Sequence, residues 1–221
     1  MYVMTKQHAY ITTAIPYVNG QPHIGHAMDY MLADVWARYA RQNGRQVRFQ
    51  TGVDEHGNKI ATKAADSGLT PQGYVDQMHG NFKELINKLT ISATDFIRTT
   101  DTHHTAAVQY IWQRLAHGGY IYKGSYEGWY CQGCEAFVTD KEAAANNGIC
   151  PDHQTPYQRL SEENYYFKTS AFSEQVRRAI ESGKMKLIPE FRKKEFLELM
   201  KDGLQDVSIS RPRKNLSWGI P

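Results

Sequence analysis

Residues Ile11 to His26 read ITTAIPYVNGQPHIGH and join two different sequence patterns. β-branched and aromatic residues dominate the stretch from Ala9 to Ile15, which predicts a buried strand. From Ala27 onward apolar residues recur at helical spacing, as Met28, Met31, Leu32, Val35, Trp36 and Tyr39. The histidines His23 and His26 therefore lie between a strand and a helix, at the helix N-terminus.

This strand–turn–helix arrangement is typical of a phosphate site. A helix N-terminus offers free backbone N–H groups and the positive end of the helix dipole. His23 and His26 add two imidazole donors, and Gly25 between them lets another group approach the backbone. The alternative is that both histidines only cap the helix.

The residues from Thr12 to Gly20, followed by His23-Ile24-Gly25-His26, resemble the HIGH signature and its surroundings in methionyl-tRNA synthetases, which are class I aminoacyl-tRNA synthetases. An H-x-G-H tetrapeptide alone is a weak signal, because cytidylyltransferases carry one too. The resemblance implies an ATP site in which His23 and His26 are catalytic. His23, Gly25 and His26 would contact ATP, and Mg²⁺ would accompany the nucleotide.

Length and composition set broad limits on the function. The chain has 221 residues, 41% hydrophobic and 22% charged, which suits one large globular domain or two modest ones. No apolar run approaches the roughly 20 residues of a membrane span, and residues 1–6 lack the apolar core of a signal peptide. We therefore expect a cytoplasmic protein with no membrane partner. The net charge of +3 is compatible with an RNA partner but does not indicate one.

A second strand is predicted at Gln46–Gly52, beyond the first helix. This βαβ spacing favours an α/β fold with a parallel, Rossmann-type sheet. Asp54-Glu55-His56-Gly57 follows at the carboxyl end of the second strand, where open α/β sheets bind ligands. From the residues alone, this segment is either a site for an ammonium group or a solvated acidic turn.

The resemblance assigns a substrate to this end of the sheet. It implies that Asp54 binds the α-ammonium group of L-methionine and that Ile15 and Tyr17 line the pocket for its side chain. An aliphatic wall and an aromatic face suit a thioether. For Ile15, an ordinary core position in the strand is the alternative.

The three cysteines, with one histidine, predict a metal site. Cys131, Cys134, Cys150 and His153 follow the spacing C-x2-C-x15-C-x2-H, which gives tetrahedral Zn²⁺ four ligands in two tight turns. Four protein ligands leave no open position, so the zinc, one per chain, would be structural. The alternative is three free cysteines beside an incidental histidine. Within the family, the pattern resembles a connective peptide with a single zinc knuckle.

The resemblance also implies a domain organisation. Residues 1–118 would form the first half of the Rossmann catalytic domain, 119–205 an inserted connective peptide with the zinc knuckle, and 206–221 the return to the Rossmann domain. The second half of the sheet, the KMSKS loop and the anticodon-binding helical bundle would lie beyond the chain. The sequence is thus expected to be an N-terminal fragment, whose activity alone is doubtful.

The function implied is that of a methionine–tRNA ligase, which converts methionine and ATP to methionyl-adenylate and transfers the methionyl group to tRNA(Met). The basic stretches 192–194 and 211–214 either face this RNA or are solvated surface. Two alternatives remain from the sequence. One is an H-x-G-H nucleotidyltransferase, and the other is a zinc-knuckle module that binds RNA or protein.

Overall fold

The computed structural model describes residues 8–134, 136–214 and 216–221. They form two compact units, one comprising Met1–Ile111 with Leu216–Pro221 and the other comprising Trp112–Asn215. Residues 1–6, on which the prediction about a signal peptide rests, lie outside the described ranges. Within those ranges, no helix combines the length and the apolar character that crossing a membrane requires.

The first unit is built on a three-stranded parallel sheet. Its strands β1 (His8–Thr12), β2 (Gln46–Val53) and β3 (Asp95–Arg98) lie in the order β1-β2-β3. Its helices are α1 (Ile24–Gln42), α2 (Asn58–Asp66), α3 (Pro71–Lys88) and the first part of α4 (Thr102–His117). The predicted α/β class with a parallel sheet is therefore confirmed.

Helix α3 covers the core of this unit. Thr70 caps it by accepting a hydrogen bond from the N–H of Gly73 at 3.1 Å, and Pro71 occupies its first turn. Its apolar face packs into a cluster with residues of β2 and α2. The buried members of that cluster are Val18, Val53, Ile60, Ala64, Tyr74, Val75 and Phe82.

Strand β1 is shorter and more exposed than predicted. It ends at Thr12, whereas the sequence pattern extends the strand to Ile15. Regular pairing with β2 stops there, and only an isolated bridge follows after Pro16, which has no N–H to donate to a neighbouring strand. Ile15 is consequently 37% exposed, so it does not occupy a core position in a strand.

Helix α1 presents two different faces. Its buried residues are Ala27, Tyr30, Asp34, Ala37 and Ala40, most of them small. The apolar stripe that identified the helix in the sequence lies on the exposed face, from Met28 (62% exposed) to Tyr39 (65% exposed). Small buried residues let the helix approach its neighbours closely, and the larger apolar residues stay outside.

The buried carboxylate of Asp34 joins α1 to the loop before β3. It accepts hydrogen bonds from the N–H and the hydroxyl of Ser92, at 2.7 and 2.5 Å, and from Nε of Arg38 at 2.6 Å. Burial alone would raise the pKa of Asp34, but the hydrogen bonds from Ser92 and Arg38 outweigh it and lower that pKa. The carboxylate is therefore stabilised in its charged form.

The second unit contains an antiparallel sheet of strands in the order β5-β4-β6-β7. Its elements are β4 (Ile121–Cys131), β5 (Ala136–Val138), α5 (Asp140–Ala145), β6 (Gln158–Phe167), α6 (Ser173–Glu181), α7 (Glu190–Leu199) and β7 (Val207–Ser208). Strands β4 and β6 are the longest of these, and they pair continuously from Ile121↔Phe167 to Tyr130↔Gln158.

Candidate functional site

The two histidines form the N-terminal cap of α1. His23 is the N-cap residue, and its Nδ1 accepts a hydrogen bond from the N–H of Gly25 at 3.1 Å. In return, Nδ1 of His26 accepts from the N–H of His23, also at 3.1 Å. Two imidazoles thus accept the backbone hydrogen bonds that Ser and Glu side chains accept in an ordinary capping box. Their rings stack with centroids 3.7 Å apart.

This capping geometry leaves the other ring nitrogens available for a ligand. A nitrogen that accepts a hydrogen bond carries no proton, so each neutral ring has its proton on Nε2. Burial, followed by the nearby His23, lowers the pKa of His26, which favours its neutral form. His23 and His26 therefore cap the helix through Nδ1 and can donate through Nε2 at the same time.

Gly25 is required by the His23 ring itself. A Cβ at position 25 would lie 3.0 Å from both Cε1 and Nδ1 of His23, closer than ordinary van der Waals contact. Any side chain here would push on the ring that accepts the Gly25 N–H. The cap thus accounts for a glycine at position 25, independently of any ligand.

Tyr17 and Asp54 lie side by side at the carboxyl end of β1 and β2. They form an isolated parallel β-bridge, in which the Asp54 N–H donates to the carbonyl of Pro16 at 2.8 Å and the Val18 N–H donates to the carbonyl of Asp54 at 3.2 Å. Tyr17 is 42% exposed, as Ile15 is also exposed. The backbone thus brings two predicted methionine-binding residues together at the expected edge of the sheet.

The hydrogen bonds that the Asp54 carboxylate accepts from its neighbours are long. Its Oδ1 accepts from the N–H of His56 and from the hydroxyl of Thr99, both at the long distance of 3.4 Å. Burial raises the pKa of Asp54, and burial lowers the pKa of His56, so neither charge is strongly balanced. His104 lies near enough to influence both groups. A cation beside Asp54 would stabilise its ionised form.

Glu55 has a role that the sequence does not reveal. Its side chain is 0% exposed and accepts from Nε of Arg98 at 2.8 Å and from the hydroxyl of Thr100. Arg98 also donates to Asp76 at 2.6 Å. The interpretation of residues 54–57 as one solvated acidic turn is therefore wrong for Glu55. The register of the parallel strands, which sets Arg98 beside Val53, brings the two charges together.

Trp218 is a second residue that the sequence does not identify. Its Nε1–H donates to the carbonyl of Glu55 at 2.5 Å, and its own carbonyl accepts from the N–H of Gly57 at 3.1 Å. Its ring lies 5.4 Å from that of His56. The local sequence around Trp218 does not predict these contacts, because the partners are far apart in the chain. Trp218 and Glu55 are separated by 163 positions.

The second unit brings the predicted zinc ligands together. One ligand atom from each of Cys131, Cys134, Cys150 and His153 lies within 4.8 Å of all the others. The distance from Cys134 Sγ to Cys150 Sγ is 3.5 Å, and the distance from Cys134 Sγ to His153 Nδ1 is 3.3 Å. This soft donor set fits tetrahedral Zn²⁺. The four side chains are positioned to bind a zinc ion.

Gly133 makes the zinc knuckle possible. A Cβ at this position would lie 2.3 Å from Cγ of His153, so any other residue here would force the histidine ring to move. The first knuckle and the histidine of the second therefore pack directly on each other. This contact explains the glycine between Cys131 and Cys134 by close approach.

The basic stretches are partly used within the protein. Arg192 pairs with Glu195 at 2.8 Å and Lys193 with Glu190 at 3.8 Å, both within α7. Nη1 of Arg211 donates to the hydroxyl of Ser208 and to the carbonyl of Ser210, each at 3.0 Å. Arg192, Lys193 and Arg211 thus have partners within the chain.

Known proteins resemble the whole of this chain. A family model described as tRNA synthetases class I (M) matches residues 9–160 and 152–221. The methionine–tRNA ligase of Clostridium tetani is 44% identical over 219 residues, covering 99% of this chain and 34% of that protein. The ligase of Streptomyces coelicolor is 42% identical over 219 residues, covering 96% of this chain and 40% of that protein.

The structural comparison agrees with the sequence comparison. A Mycobacterium tuberculosis methionyl-tRNA synthetase in complex with methionyl-adenylate superposes with a TM-score of 0.88 at 35% identity, covering 97% of this chain and 42% of that one. The chain thus spans little more than a third of the length of the curated relatives it matches. With the capped histidine pair and the Tyr17–Asp54 bridge, these matches show that the protein belongs to the methionyl-tRNA synthetase family.

Proposed function

We propose that this chain carries the first half of a site that activates L-methionine with ATP and passes the methionyl group to tRNA(Met). The observation that carries the proposal is the parallel bridge between Tyr17 and Asp54. It supports a methionine site at the carboxyl edge of the sheet, the edge at which β1 also leads to the capped N-terminus of α1.

In this proposal the α-ammonium group of methionine pairs with the Asp54 carboxylate. That carboxylate has two long hydrogen bonds and no ion pair among the described residues, so a cation gains a good partner there. The exposed side chains of Ile15 and Tyr17 would contact the thioether chain. Pairing would also lower the pKa of Asp54, which burial raises.

His23 and His26 would act on ATP through their Nε2–H groups. The methionine carboxylate attacks the α-phosphorus, the bond to the bridging oxygen of pyrophosphate breaks, and negative charge builds on the phosphate oxygens. Donors already fixed by the Nδ1 cap stabilise that charge without reorganisation. ATP would bind with Mg²⁺ as part of the substrate, and Gly25 leaves the helix N-terminus open beside it. A hydroxyl of the terminal ribose of tRNA then attacks the carbonyl carbon of the methionyl group, the bond to the phosphate oxygen breaks, and AMP leaves.

The zinc would have a structural role. Cys131, Cys134, Cys150 and His153 would hold it, and the ion would tie the two knuckles together as a closed four-ligand site. We place the catalytic half-domain at 1–118, the zinc-bearing connective peptide at 119–205 and the return segment at 206–221. A cytoplasmic location follows from the proposed role in charging tRNA.

The proposed activity needs residues beyond this chain, because the relatives are far longer than the match. We propose that the second half of the catalytic domain covers the exposed apolar face of α1 and supplies the remaining ATP contacts. The anticodon-binding part would lie outside the chain as well. In this proposal, the methionine and phosphate contacts named above are made by the 221 residues of this chain.

Titration of the chain with L-methionine tests the proposal. We expect binding to wild type, loss of binding in Asp54→Asn, and unchanged binding in Asp66→Asn, which alters an exposed aspartate at the end of α2. Equal affinity of wild type and Asp54→Asn for methionine would contradict it. CTP-dependent transfer by the chain would favour the nucleotidyltransferase alternative instead.

A further inference from the structure

The turn that presents Asp54 is held from two sides. On one side, Arg98 and Thr100 bind the buried side chain of Glu55. On the other side, Trp218 binds the backbone: its Nε1–H donates to the Glu55 carbonyl at 2.5 Å, and its carbonyl accepts from the Gly57 N–H at 3.1 Å. The residues before and after His56 are thus fixed by one tryptophan.

These contacts on the turn matter for Asp54 because the carboxylate itself makes only long hydrogen bonds to the residues around it. Its two hydrogen bonds, from His56 N–H and Thr99 hydroxyl, are both 3.4 Å long. Its position therefore depends on the backbone that carries it. That backbone is set on the upstream side by the pairing of Asp54 with Pro16 and Val18, and on the downstream side by Trp218.

Trp218 is also well placed to exclude water. It packs against the buried cluster that contains Val18, Val53 and Ile60, and its ring lies 5.4 Å from the His56 ring. A buried backbone hydrogen bond shielded from water is costly to break, since the carbonyl then has no other partner. The contact is therefore suited to fixing the backbone of the turn.

We propose that Trp218 is a positioning residue for Asp54, holding the Glu55–Gly57 backbone so that the Asp54 carboxylate meets the ammonium group of the amino-acid substrate. The inference rests on the proposed function for the substrate, and on the hydrogen bonds above for the hold. Trp218 does not touch the substrate in this proposal. It acts through the turn, which is why its effect on affinity is separable from its effect on stability.

The test compares Trp218→Phe with Trp112→Phe in the full chain. Phenylalanine keeps an aromatic ring in the apolar cluster but cannot donate to the Glu55 carbonyl. Trp112, whose ring contacts Tyr165 in the second unit, controls for the loss of an indole. Three quantities are measured: the dissociation constant for L-methionine, the pKa of Asp54 by carboxyl NMR, and the midpoint of urea unfolding.

We expect Trp218→Phe to weaken methionine binding about tenfold, the effect of one unpaired buried carbonyl. The pKa of Asp54 should fall towards the ordinary value of 3.8 as the turn loosens and water enters, with His56 and His104 as the neighbouring titratable groups. Trp112→Phe should change neither quantity. Urea midpoints are compared to show that both variants are folded.

Two results would overturn the proposal. One is a Trp218→Phe variant that binds methionine as wild type does. The other is a variant in which only the urea midpoint falls while the Asp54 pKa stays unchanged, which means that Trp218 only fills the core. If wild type itself fails to bind methionine, the proposed substrate is wrong, and the Asp54 pKa alone then decides whether Trp218 positions the carboxylate.

Discussion

Tyr17 and Asp54 pair one residue out of step with the strands that lead to them. The last regular pair of β1 and β2 is Thr12↔Gln50, and the bridge that follows is Tyr17↔Asp54. Five steps along the first chain segment therefore match four along the second. An extra residue of this kind re-aims the side chains beyond it, as β-bulges do beside active sites. The irregularity lies where the methionine site is proposed.

Substitution of His23 should separate the cap from the phosphate donor. His23→Ala is expected to lower the free energy of unfolding by about 1 kcal/mol, because the Gly25 N–H loses its acceptor. His23→Asn should restore most of that loss, since asparagine is a good N-cap, yet it offers no Nε2–H to phosphate. Urea unfolding and titration with Mg·ATP check the two effects. ATP affinity in His23→Asn equal to that of wild type would contradict the donor role.

Arg98→Met should be strongly destabilising. It leaves the fully buried Glu55 carboxylate without its ion-pair partner, which costs about 3–5 kcal/mol of unfolding free energy. Arg48→Met removes an ion pair of the same type on the same sheet, but one whose arginine is 66% exposed, so its effect should be far smaller. Parallel urea unfolding of the two variants gives the comparison. Similar losses would show that the burial of Glu55 is unimportant.

Asp34 should make the free energy of unfolding depend on pH in the acid range. Its pKa is lowered in the folded protein, so its contribution is present above the ordinary pKa of aspartate and is lost as the pH falls through the folded value. At pH 7 Asp34→Asn should cost about 1.5–3 kcal/mol, the range for hydrogen bonds to a charged group. The gap between variant and wild type should narrow towards pH 3. A gap that is constant from pH 7 to pH 3 would exclude this linkage.

Removal of zinc should unfold the second unit selectively. The purified chain is expected to carry about one zinc ion, and His153→Ala or a strong chelator should remove it and lower the thermal midpoint of that unit. His117→Ala, at the exposed end of α4, is the matched control. Metal analysis together with calorimetry provides the measurement. Absence of zinc in wild type, with no effect of chelator, would refute the site.

The chain alone should be a poor catalyst of adenylate formation. Methionine-dependent exchange of pyrophosphate into ATP is expected to be slower than in a full-length relative by roughly a hundredfold or more, since lost donors to a transition state cost that much each. The comparison uses a relative such as the Clostridium tetani ligase under the same conditions. Rates of the same order in both proteins would show that the 221 residues contain the complete site.

Local patterns in the sequence predicted the features that depend on neighbours along the chain. The parallel order of β1 and β2 and the zinc ligands at Cys131 to His153 both follow from short spacings. The helix N-terminus was placed at His23 and His26, and α1 does begin there, at Ile24. An apolar stripe was informative about the helix but not about which face is buried.

The features that the sequence did not predict depend on partners that are far apart along the chain. Glu55 looks like any acidic turn residue until Arg98 and Thr100 are seen around it. Trp218 looks like part of a terminal segment until its hydrogen bond to Glu55 is seen. Burial of charge is decided by the register of strands and by the path of the chain, and a local pattern contains neither.

The first unit consists of Met1–Ile111 and the separate segment Leu216–Pro221, with the whole second unit encoded between them. On the ribosome, the Asp54 turn therefore emerges early, whereas Trp218 emerges only after every residue of the second unit has been made. Domains generally fold as units during synthesis, N-terminal parts first. The Asp54 turn therefore gains its hydrogen bonds with Trp218 only after translation has passed the whole second unit.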